Sequence, residues 1–176
     1  MRVGAFNLCV LILAAMALFT SPALAQNRKD YISSTEAEKI REANDPNERI
    51  LLFVSFASDR LKQLQYELDH PANTVRRSER LNGLLNAFSG CVDEAVDRME
   101  LSVEKQEDVG EGIKAVQKQA PDFLTYLKKL SATGPERNTY KESLGDAIAS
   151  TEDAIRSAAD SAKDNAPAPP VRRRPQ

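Results

Sequence analysis

The chain is predicted to be an all-α protein, an antiparallel up-down-up-down four-helix bundle, and three observations lead there. Apolar residues recur at alternating steps of four and three along four separate stretches, the spacing that lines one helical face for packing against other helices. Four segments open on Ser, Thr or Asp with Glu three positions later, the capping box of a helix N-terminus. Turn-forming residues fall between the long stretches, and apolar runs such as Ile50 to Phe56 sit inside helical periodicity, which leaves no strand candidate.

The N-terminus is read apart from the fold. Arg2 supplies a minimal positive region, and Leu8 to Phe19 form an apolar core too short to cross a bilayer with ease. Ala23-Leu24-Ala25 then gives the small-x-small pattern that signal peptidase cuts before Gln26. Residues 1–25 are therefore expected to leave as a signal peptide, taking Cys9 with them, and the mature chain to be exported, periplasmic or extracellular. No second long apolar run follows, so no transmembrane segment is expected in it. Residues 26–164 suffice for one helical domain.

Within that domain Gln26 to Ile32 is polar and reads as loose. Ser33 and Glu36 box the start of a short extra helix from Ser34 to Ala43, which Asn44-Asp45-Pro46 ends. Asp45 caps the central helix, with Glu48 completing a second box. Its seam is Ile50, Val54, Ala57, Leu61, Leu64 and Leu68, and His70-Pro71 stops it. Asn73 or Thr74 opens a third helix with the seam Leu81, Leu85, Phe88, Val92, Ala95 and Met99. A box at Asp108 and Glu111 starts a fourth at Val109 with the seam Val109, Ile113, Val116, Ala120, Phe123, Leu127 and Leu130, kinked at Pro121. A rival reading joins the third and fourth into one rod. About 50 residues at 1.5 Å each make roughly 75 Å, which no other segment would cover, and Gly110 and Gly112 weaken the middle. Thr133 and Glu136 box the last helix, with the seam Tyr140, Leu144, Ile148, Thr151, Ile155, Ala158 and Ala162. From 165 to 176 the Pro/Arg-rich sequence has nothing to bury and is expected to be a disordered basic tail.

Charge and motifs exclude more than they assign. The formal net charge of −2 becomes −3 without Arg2, and setting aside Arg172, Arg173 and Arg174 leaves a body near −6, which argues against nucleic acid as a partner. Cys91 is then the only mature cysteine, so no internal disulfide forms, and it reads as a small buried apolar residue. Asp93, Asp97, Glu100, Glu104, Glu107 and Glu111 make an acidic row. It lies away from the seam, and the single histidine, His70, is in no Glu-x-x-His motif, so the row reads as a solvated face rather than a metal site. No Cys-x-x-Cys-His, nucleophile elbow or phosphate loop occurs, and no cofactor or catalytic residue is assigned. The alternative is a haem or metal carrier, for which His70 and Met99 are the only conceivable axial pair.

What remains is binding. Leu51, Leu52, Phe53 and Phe56 add apolar surface beyond the seam of the central helix, and the register turns Leu52 and Phe56 outward. A large exposed apolar patch on a soluble protein is uncommon without a purpose. The short helix, with Ala37 and Ile40 on one face, is the obvious cover, and partial cover leaving a groove is the expectation. The chain is therefore read as a non-enzymatic protein that binds another protein or envelope component through these four residues.

Overall fold

The computed structural model describes residues 31–71 and 75–165, and among these it contains five helices and no strand. The expected signal peptide, the stretch 26–30, the helix start at Asn73 or Thr74, and the tail from 166 onward lie outside the described residues.

Helix α1, Ser34–Glu42, starts on a complete capping box: the Glu36 amide donates to the Ser33 hydroxyl and the Ser33 amide to the Glu36 carboxylate. Helix α2, Pro46–Asp69, has Asp45 accepting from the Asn47 amide, and proline where its missing N–H costs nothing. Helices α3, Arg77–Glu104, and α4, Gly110–Thr133, are separate, because Gln106 is left-handed (φ 59°), a conformation no continuous right-handed helix includes. Pro121 is accommodated inside α4 without ending it. Helix α5, Arg137–Asp164, follows a turn in which Glu136 is also left-handed.

Two expected capping boxes do not form, and only at α4 does a residue from elsewhere take over. At α4 the Asp108 carboxylate accepts only from Gly110, and the Gly112 amide is capped by Asn47 Oδ1 of α2 at 2.8 Å. The Asn47 amide nitrogen also donates to the Asp108 carbonyl at 2.7 Å, so one side chain ties the α3–α4 connection to the start of α2. At the next turn Thr133 donates back to Lys129, while Arg137 donates to the Ser131 and Ala132 carbonyls and closes the end of α4. Asn47→Ala should therefore destabilise the protein by about 1–2 kcal/mol, a lost cap plus an unmet carbonyl. Urea unfolding checks this; a loss no larger than that of an exposed α2 substitution such as Ser55→Ala would contradict the cap.

The seams of α2 and α3 are buried at all twelve named positions, as are Ile113, Val116, Ala120, Leu127 and Leu130 of α4, with Phe123 half-buried. Helix α5 is rotated from its expected register. Its buried face is Tyr140, Leu144, Ala147, Thr151, Ala154, Ala158 and Ser161, whereas Ile148, Ile155 and Ala162 lie half-buried beside it. This helix packs on both α3 and α4, and small residues at its centre let the backbones approach while the isoleucines fill the flanks.

Helix pairing is not sequential throughout. Helices α2 and α3 pack together, as do α4 and α5, but α3 packs next on α5 and α2 on α4. Helices α3 and α4 touch only marginally although joined by a short link, and α2 and α5 do not meet. The link from 105 to 109 thus crosses the assembly, with Asn47 holding its far end.

Beyond Arg156 the buried positions of α5 are only Ala158 and Ser161. Leu or Ile burial contributes about 1.5–3 kcal/mol each and alanine far less. Amide exchange should find the last two turns of α5 opening before any part of α2 seam-side; equal protection would contradict this.

Candidate functional site

The apolar surplus of α2 divides in the fold. Phe53 and Phe56 are 3% and 4% exposed and meet edge to face at 6.3 Å, Leu52 is half-buried, and Leu51 remains 40% exposed. The outward turn expected of Phe56 is thus closed over.

Residues 31–43 fold back along this side of α2. Near the turn, Arg49 Nε donates to the Ala43 carbonyl at 3.0 Å; at the far end, Arg60 donates to the Glu36 carboxylate at 2.6 Å and to the Tyr31 carbonyl at 2.9 Å. The segment therefore runs antiparallel to α2. Tyr31, expected to be loose, packs against the core with Ile32 and Ile40. Its ring lies on Gly90 of α3, where a Cβ would come within 2.9 Å of it, so the mid-helix glycine admits an aromatic ring rather than a neighbouring helix. Helix α1 itself has no fully buried residue.

Arg60 is the residue that sequence reasoning missed. Its position was a signal: it falls four residues after Phe56, on the same helical face, where a lone cation needs an anionic partner. Burial alone would raise the Glu36 carboxyl, but hydrogen bonds from Arg60 and from the Ser33 amide and hydroxyl hold it below its ordinary value.

Cys91 is fully buried close enough to feel Arg60 and Glu36. Burial drives its thiol from 9.0 up to about 12, opposed only in part by the Arg60 charge. Because the neutral thiol is favoured in the fold, this contribution to stability is complete below pH 9 and is lost as pH rises toward 12. At neutral pH a thiol reagent should label native Cys91 at least a hundredfold more slowly than unfolded protein. Arg60→Ala should quicken labelling, although losing the cation pushes the thiol pKa higher still; acceleration can then come only from opening of the 31–43 segment. Unchanged labelling would show that the segment stays closed without Arg60.

Past Tyr31 the groove between α2 and α3 continues as an open trough of about 360 Å³, lined by Lys62, Gln63, Tyr66, Glu67, Arg80 and Leu84. Tyr66 is 63% exposed and stacks on His70 at 4.3 Å. A second hollow of about 170 Å³ lies between the ends of α2 and α4, beside Leu68, Asp69, Tyr126 and Leu130.

The other candidate residues do not converge. Asp93, Asp97, Glu100, Glu104, Glu107 and Glu111 are all exposed. His70 is exposed at the end of α2, whereas Met99 is fully buried toward the end of α3. These are opposite ends of the pair, since Glu67 meets Arg80. Among the described residues no group of three or more His, Cys, Asp or Glu is placed to hold a metal ion, and no helix is long and apolar enough to cross a membrane. The chain matches no protein-family model, no curated protein and no solved structure.

Proposed function

We propose that this is an exported, non-enzymatic four-helix bundle, built of the antiparallel pairs α2–α3 and α4–α5, that binds another macromolecule of the cell envelope through the stretch of α2 carrying Leu51, Leu52, Phe53 and Phe56. Contacts between helix ends support this arrangement of two hairpins side by side. Asn47 reaches Gly112, Arg77 reaches Glu136, and Glu100 meets Ser157, so α2 runs beside α4 and α3 beside α5 in the same direction. The observation that carries the binding reading is the lid over the aromatic pair: a segment whose helix buries no residue fully, rather than a helix of the bundle, lies along that face. Export rests on the Ala23-Leu24-Ala25 pattern.

Leu52, half-buried and four residues before Phe56 on the same side of α2, is the position for a photo-crosslinking residue. In cells, a discrete adduct with one envelope component, absent when the label sits on the opposite surface at Lys141, supports the reading. Labelling no stronger than at Lys141 overturns it.

A further inference from the structure

We propose that the hollow between the ends of α2 and α4 binds a small zwitterion with an apolar side chain, a free α-amino acid. The site lies at the other end of α2 from Leu51 and Phe56 and is independent of the reading above. Its volume is about 170 Å³. Pockets for drug-sized ligands begin at roughly 300 Å³, so the occupant is a molecule of few atoms.

The charges at its rim select the class of ligand. Asp69 and Lys129 both line the hollow, yet neither has a hydrogen-bond or ion-pair partner among the described residues, and they do not pair with each other. The neighbouring charges are committed elsewhere, Glu67 to Arg80 of α3 and Lys128 to Glu152 of α5. Asp69 is also the last residue of α2, where the helix dipole disfavours an anion, and no lysine or arginine in that turn offsets it. A carboxylate held there without a partner does nothing for the helix. One opening bordered by an unpaired anion and an unpaired cation matches a ligand that carries both charges close together.

The other walls are fixed by the fold. The floor is Leu68 and Leu130, both buried, which gives an aliphatic side chain a surface to cover. The far wall is the turn at Gly134 and Pro135. Tyr140, fully buried, donates its hydroxyl to the Pro135 carbonyl, and a Cβ on Gly134 would strike the Leu130 carbonyl oxygen. The turn is therefore pressed onto the end of α4, and the opening is preformed. Tyr126 stands half-buried at the side, its hydroxyl without a partner among the described residues. Burial, and secondarily the Asp69 charge, push its phenol up to about 12, so it stays a neutral donor at physiological pH. The ligand's ammonium would meet Asp69, its carboxylate Lys129 and the Tyr126 hydroxyl, and its side chain the two leucines.

The test is titration of the full chain with L-leucine, followed by amide chemical shifts. Saturable shifts at Asp69, Tyr126, Lys129 and Gly134 are expected, with a Kd of about 1 mM for so small and open a site. Isocaproate, which lacks the ammonium, isoamylamine, which lacks the carboxylate, and glycine, which lacks the side chain, should each bind at least fivefold more weakly. Asp69→Asn should weaken leucine at least fivefold and leave isocaproate unchanged. Lys129→Gln should weaken leucine likewise and leave isoamylamine unchanged. Both variants should melt within about 3 °C of wild type, so the losses are read on folded protein. No saturable shift with leucine at ten times that concentration overturns the proposal, as does isocaproate, isoamylamine or glycine binding as tightly as leucine. An equal loss of leucine and both analogues in either variant would mark a structural role and overturn it too. So would tighter binding of leucyl-leucine, because the hollow would then take the end of a peptide.

Discussion

Phe88→Ala is expected to cost about 3–5 kcal/mol, the range for emptying a buried aromatic site, and to lower the melting temperature by roughly 10 °C. Phe88 of α3 is fully buried and meets Phe123 of α4 edge to face, centroids 5.5 Å apart at 84°. These two helices barely touch otherwise, so the ring pair spans the centre of the assembly where no backbone can move in to fill the space. Phe56→Ala makes the comparison. Its ring is as well buried, but beside a segment free to settle into the void, so the cost should be clearly smaller. Equal losses would mean that residues 31–43 are held as rigidly as the bundle.

Gly112→Val is the second large effect, expected near 3 kcal/mol, at the upper end for forcing extra atoms into a packed contact. A Cβ at Gly112 would lie 2.7 Å from Cδ1, 3.0 Å from Cβ and 3.1 Å from Cγ2 of Ile50, itself fully buried in α2. A terminal methyl swings aside in an unbranched residue, but isoleucine is stiff at χ1, and the close atoms include its own branch point. The helix-propensity gain of leaving glycine, about 1 kcal/mol at most, is too small to reverse the sign. Ile50→Ala in the same chain should relieve the clash, so the double variant should be less destabilised than the sum of the two single losses. Strict additivity in denaturant unfolding would show that the helices are not in contact there.

Most of the helical content was legible from local pattern. The seams of α2, α3 and α4 were read correctly because an apolar residue every three or four positions marks a face whatever it packs against. Helix α5 departs from its pattern for a physical reason: the three-four spacing passes through Ile148 and Ile155, whereas close packing against two helices turns Ala147 and Ala154 inward. The site was legible only in part. The apolar surplus at Leu51, Leu52, Phe53 and Phe56 could be located, but which of them stay exposed depended on a segment whose own pattern is weak. Tyr31 and Arg60 joined the site through contacts spanning 29 residues of sequence, which no local window contains.

The amino-acid sequence by itself determined that this chain is helical, where α2, α3 and α4 carry their apolar faces, and that a surplus of apolar surface lies on α2. The tertiary structure alone decided which helices pair, why α4 begins where it does, and what closes the surplus. The physical reason is that apolar burial has no direction: a seam specifies that a face will be covered without specifying by what. The choice is made by contacts that are directional or tight. Asn47 capping Gly112, Ile50 against a residue with no side chain, and Arg60 gathering Glu36 and the Tyr31 carbonyl each join residues far apart in the chain, and each has geometry that only one arrangement of the helices satisfies.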